Sequence, residues 1–200
     1  MKKLLYTLVG EGFAEYEFIP AYFDWIAKQH NADLIRTRIQ IAVSKQGGVS
    51  RVLDEIKSLC EQSFVSDKPV HLFVAGIDLD RPDHTDEQTH LENRKHELIR
   101  CLGRLHQTFE DKIILFVPIQ ALDYWIHYQQ AKSTANSLES KGKDELKRLV
   151  YGNKDAGREV VKHIARTVGK NANFDQLVTQ SHSFKHFHDQ VTAFLKNTSQ

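Results

Sequence analysis

Cysteine is nearly absent: Cys60 and Cys101 are the two in 200 residues, too few for a disulfide framework and without the paired spacing of a zinc site. Both fall in stretches of amphipathic helical spacing, which suits reduced, half-buried thiols and a cytosolic setting. A charge excess is missing too. Lys and Arg number 27 against 26 Asp and Glu, a net charge of +1, so no global field holds a polyanion and any nucleic-acid binding needs a local basic surface. Long apolar runs are lacking; none approaches the roughly 20 residues that span a bilayer, so no membrane role is expected. The opening MKKLLYTLVG resembles the start of a signal peptide, but Glu11 interrupts it and no small-residue cleavage site follows. The spaced Gly-Lys-Ser/Thr of a nucleotide-binding P-loop does not occur, and no internal repeat is visible.

What is there suffices for one core. With 40% hydrophobic and 10% aromatic residues, a chain of this length is expected to fold as a single domain. Leu4 to Val9 is a short apolar run that stops at Gly10-Glu11-Gly12, and Tyr16, Phe18, Ile19, Phe23 and Ile26 follow at helical spacing. Pro20 within that helix predicts a late start or a kink. Arg38 to Val43 reads as a second strand, and Gly47-Gly48 opens a helix carrying Val52, Ile56 and Leu59. Val70 to Ile77 and Lys112 to Val117 are continuous apolar runs, the pattern of strands covered on both faces. Helices are expected over Leu91 to Phe109 and from Leu122 to Gln130. This alternation predicts an α/β fold, a mostly parallel sheet with helices on both faces. From Ala131 the composition turns polar and only helical patterns follow. The expected organisation is an α/β core over 1–130 and a helical extension over 131–200 packed on it.

In open α/β sheets, ligands bind beyond the carboxyl ends of the strands. Glu11 follows the first predicted strand, Asp78 and Asp80 follow the third, and Asp123 lies just past the fourth. Clustered carboxylates repel one another and raise each other's pKa unless a cation neutralises them. Hard oxygen donors select Mg²⁺ or Mn²⁺ over softer metals. A lone D-x-D is also compatible with a polar turn.

A second motif agrees with the metal reading. LVGEGFAEYEFIP resembles the TOPRIM signature, in which a strand ends in Glu, a glycine follows and a second acid opens the helix. FVAGIDLDRPD resembles its partner strand ending in D-x-D. VPIQALDYWI and SHSFKHFHDQVTAFL are similar to segments of small, uncharacterised TOPRIM-like proteins related to OLD-type nucleases, although Asp123 stands where Glu is expected. The resemblance implies a TOPRIM-like fold, with Glu11, Asp78 and Asp80 as metal-binding and acid/base residues and Asp123 as an accessory ligand. It implies a Mg²⁺- or Mn²⁺-dependent nuclease of mobile-element or phage-defence systems, working beside an ATPase partner. Glu15 is a weaker addition, because acids near a helix N-terminus are favoured by the dipole anyway.

Lys45 and Arg51 flank Gly47-Gly48, whose backbone N–H groups could meet a phosphate, and Arg81 directly follows Asp80; these three are the expected substrate-binding residues. A tight strand-to-helix turn explains the same glycines. His182, His186 and His188 lack an upstream ligand pair and read as solvated or capping residues. Basic residues concentrate from Lys141 to Lys170, either as a solvated face or as a stripe for a polyanionic backbone. Ser183-Phe184 and Phe187 are expected to dock the last helix on the core. A non-catalytic subunit that keeps the site to bind nucleic acid or a partner remains the alternative to the nuclease.

Overall fold

Side-chain alternation along β1 (Lys2–Val9) divides the molecule into two layers. Leu4, Tyr6 and Leu8 enter one core, whereas Val9 enters a second on the opposite side of the sheet. The computed structural model describes residues 1–39, 48–80, 87–131 and 141–198, without the side chains of 87–89. Its sheet is four-stranded and wholly parallel in the order β2-β1-β3-β4, with β2 at Ala32–Arg36, β3 at Leu72–Gly76 and β4 at Ile113–Phe116. Leu8, Val74 and Ile114 are aligned across three strands and share the first core; Val9, Ala75 and Leu115 share the second.

The chain leaves β1 in one direction and β3 in the other. α1 (Phe13–Gln29) crosses to β2, while α2 (Val49–Val65) returns past β1 to β3. Right-handed crossovers of opposite direction put these helices on opposite faces. α2, α3 (Glu87–Leu102) and α4 (Arg104–Thr108) cover the second core. The first is covered by α1, α5 (Asp123–Ala131), α6 (Lys143–Tyr151), α7 (Arg158–Lys170), α8 (Phe174–Gln180) and α9 (His182–Thr198). The helices after residue 141 therefore complete one face of the sheet. Phe184 and Phe187 of α9 are fully buried there, against Tyr22 and Trp125. Gln190 of α9 also covers the edge strand: its Nε2 donates to Leu115 O at 2.9 Å, and its Oε1 accepts from Leu115 N at 3.4 Å.

The structure differs from the sequence reading at three places. The second strand is Ala32–Arg36; Arg38 and Ile39 are not in a strand, and 40–43 lie outside the described residues. Of the two alternatives at Pro20 the late start is not met, and α1 runs from Phe13 through Pro20 to Gln29. Pro20 has no N–H for the Tyr16 carbonyl four residues back, and Arg36 Nη1 supplies the missing donor at 2.7 Å. The helix expected to reach Phe109 divides at Gly103, whose φ of +56° is a left-handed conformation that glycine adopts without a Cβ penalty. Cys60 is fully buried and Cys101 half-buried, both as free thiols. No helix among the described residues is long and apolar enough to cross a membrane.

Candidate functional site

β1 and β3 are neighbours whose connections diverge, and the crevice that opens beyond their carboxyl ends is where Glu11 and Asp78 meet. The Asp78 backbone N–H donates to Glu11 Oε1 at 2.5 Å, and Leu122 N donates to Asp78 Oδ1 at 3.1 Å. Each carboxylate thus has one oxygen oriented by the backbone. Past β3 the chain stays paired with the segment after β4, through Leu79 N to Pro118 O at 2.9 Å and Asp80 N to Gln120 O at 3.1 Å. Asp80 and Gln120 both have left-handed backbones, with φ of 57° and 58°. For residues with a Cβ that conformation carries a local cost, here held in place by the paired turns.

A cleft of about 310 Å³ occupies this crevice, lined among others by Glu11, Glu15, Asp78, Asp123, Lys143 and Tyr151. Glu15 lies in the first turn of α1 with its carboxyl turned back toward Gly12, where the backbone N–H groups of Glu15 and Gly12 favour its ionised form, a placement that by itself accounts for an acid there. Glu15 as a whole residue is only 5% exposed. A Cβ on Gly10 would lie 2.8 Å from Glu15 Cβ, so only glycine lets the strand end pass that close to the helix. Asp123, at the start of α5, accepts a short hydrogen bond from the Tyr151 hydroxyl of α6.

Burial is the largest influence on every carboxyl in the cleft. It pushes Glu15 up to about 7, aided by the charges of Glu11 and Asp123. It raises Asp78 well above the usual range, with Glu11 and Glu15 adding repulsion, and it raises Glu11 and Asp123 despite their hydrogen bonds from Asp78 N and Tyr151. The cleft is therefore a place where negative charge is under-compensated and a cation is stabilised.

Lys143, the first residue of α6, supplies one. Its Nζ lies 2.5 Å from Asp80 Oδ1 and 3.7 Å from Asp78 Oδ2. Burial works against this ammonium, but Asp78 and Asp80 outweigh it and raise its pKa. Arg94 of α3 adds a second cation on the far side, donating from Nε to Asp78 O at 3.2 Å and standing 3.9 Å from Asp80 Oδ2 while paired with Glu97.

Of the sequence-predicted residues, Glu11, Asp78 and Asp123 line the cleft, and Asp80 joins them through the lysine it shares with Asp78. Arg51 is not among the described lining residues; its Nε holds Glu55 Oε1 at 2.8 Å along α2. Lys45 and Arg81 lie outside the described residues. Much of the basic stripe is paired with acids: Lys141 with Glu145, Lys154 with Asp144, Arg158 and Lys162 with Glu159, and Arg166 with Glu17. His188 meets the Tyr22 hydroxyl at 3.1 Å and His186 meets Gln190 at 3.2 Å, so both serve packing contacts.

Lys143, Tyr151 and Arg94 were not singled out as site residues by sequence. The one signal was spacing: Lys143, Lys147 and Tyr151 recur every four residues on one face of α6, and all three line the cleft.

Carboxylate oxygen is the donor type a hard divalent ion prefers, and Glu11, Asp78 and Asp123 supply it in the cleft, with Asp80 two residues beyond Asp78. Among the described residues, no three His, Cys, Asp or Glu side chains are arranged to share one metal ion. The Asp78–Asp80 pair closes on Lys143 instead. Comparison with protein-family profiles, curated proteins and solved structures returned no match.

Proposed function

We propose that this chain is a Mg²⁺- or Mn²⁺-dependent phosphodiester-processing enzyme, a nuclease acting on nucleic acid in the cytosol. The observation that carries the reading is the tie between Glu11 and Asp78 at the β1/β3 crevice, with Asp80 two residues on and Asp123 across the cleft. Asp78 and Asp80 would hold the ion, Glu11 would hold it or move a proton, and Asp123 would be an accessory ligand. When bound, the ion supplies an activated water and charge stabilisation at the leaving oxygen. Lys143 and Lys147 offset the charge of an approaching phosphate, which the carboxylates alone would repel. The TOPRIM-like motifs support this assignment and extend it to phage or mobile-element defence beside an ATPase partner.

One observation favours a second reading. Lys143 already neutralises the Asp78–Asp80 pair, and a site satisfied in this way suits a non-catalytic subunit that binds nucleic acid or a partner.

A cleavage assay separates the two. Wild type incubated with Mn²⁺ or Mg²⁺ should nick plasmid or degrade single-stranded substrate, and Asp78→Asn/Asp80→Asn should not. Nucleic-acid affinity that survives in the double variant, with no turnover by wild type under either metal, supports the binding subunit.

A further inference from the structure

Resting on the reading that Asp78 and Asp80 hold a divalent ion, we propose that Lys143 is a resident counter-cation that competes with that ion and sets the metal concentration at which the site loads.

Two observations and one electrostatic argument support it. The Lys143 ammonium makes its close contact with Asp80 and a longer one with Asp78, so it stands between the two carboxylates assigned to the metal. A divalent ion on those oxygens would lie within a few ångströms of the ammonium. At such distances like charges repel strongly at the effective dielectric of a half-buried site, so the two cations exclude one another. Finally, withdrawal is cheap in structural terms. Lys143 opens α6, and the helix is anchored by Leu146, Val150 and Tyr151, all buried further along it. The Lys143 side chain is 39% exposed, so its head can swing toward solvent while those anchors stay packed.

Apparent metal affinity is then the intrinsic affinity reduced by the fraction of molecules in which Lys143 has left the pair. The competition is reciprocal: a bound metal frees Lys143, and anything that draws Lys143 away, a phosphate included, promotes loading. Lys147 lines the same cleft and is assigned no ion pair with Asp78 or Asp80, so it controls for a general loss of positive charge.

The test is Mn²⁺ titration by calorimetry of wild type, Lys143→Met and Lys147→Met, each first checked for folding by circular dichroism. The expected result is roughly tenfold or greater tightening in Lys143→Met and a clearly smaller change in Lys147→Met. Equal effects in the two variants, or no tightening in Lys143→Met, would overturn the competition while leaving the metal site intact. No Mn²⁺ binding in any of the three proteins would overturn both. A measurement that needs no altered fold accompanies it: in ¹³Cε-lysine-labelled wild type, the Lys143 resonance should move as Mg²⁺ saturates the site. A stationary Lys143 signal during saturable Mg²⁺ binding counts equally against the proposal.

Discussion

The backbone N–H of Asp78 donates to Glu11 Oε1 at 2.5 Å, so the turn after β3 is fastened to the turn after β1 by a half-buried carboxylate. The same two turns carry the acids assigned to metal binding. A strand-end hydrogen bond thus fixes one oxygen of each acid, while Lys143 and Arg94 hold Asp80 from two sides. Burial makes these carboxylates costly to ionise, and the predictions below follow from that cost and from the packing around the site.

Glu15 should make stability fall with rising pH. Its folded-state pKa is about 7, against an ordinary value of 4.5, chiefly through burial. Between those values the folded chain holds a proton that the unfolded chain has released. The contribution is therefore complete below about pH 4.5 and is lost as pH rises through about 7. Glu15→Gln keeps the shape and a hydrogen-bond acceptor and removes the charge. Urea unfolding in chelator should show it more stable than wild type at pH 8, by on the order of 2 kcal/mol, and nearly equal at pH 4.5. An unchanged gap between the two proteins across that range would refute the assignment.

Gly76→Ala should destabilise the sheet. An added Cβ would lie 2.3 Å from the Phe116 ring, which covers this position from the neighbouring strand in register with it. Overpacking of that kind costs ~1–3 kcal/mol. Phe116→Leu in the Gly76→Ala background should recover part of the loss, giving a favourable coupling in a double-mutant cycle. Additive effects of the two changes would speak against the contact.

Ser183→Ala should loosen the last helix. The fully buried Trp125 donates its indole N–H to Ser183 Oγ at 3.0 Å, and no apolar replacement can accept it. The expected cost is about 1–3 kcal/mol, read from thermal or denaturant unfolding, with Ser183→Thr restoring most of it. Loss below a few tenths of a kcal/mol would mean that the indole finds another acceptor.

The parts of the fold that were legible in sequence are those with strong local signals. Leu4–Val9, Val70–Ile77 and Lys112–Val117 are apolar runs because their strands are covered on both faces, and each contains an observed strand or overlaps nearly all of it. β2 was misplaced because it is a five-residue edge strand with Ile35 and Arg36 exposed, so it has no continuous apolar run. What relieves Pro20 within α1 was not legible, because the replacement donor, Arg36, comes from that same misplaced strand. That Glu11, Asp78 and Asp123 meet at one cleft was legible from the acids that end strands or open helices, a pattern local to each turn. Lys143 and Tyr151 were not, because whether α6 faces the strand ends is decided by tertiary packing. The Trp125 and Ser183 motifs were noticed separately, and only the structure shows that one is hydrogen-bonded to the other.

The central claim is that these acids bind a divalent cation, and the most direct measurement is an anomalous difference map from a crystal soaked in Mn²⁺. The account predicts a peak in bonding contact, about 2.1 Å, with carboxylate oxygens of Asp78 and Asp80, and with Lys143 Nζ displaced from its present contact. A map with no peak at those carboxylates under saturating Mn²⁺, and Lys143 still paired with Asp80, would contradict it.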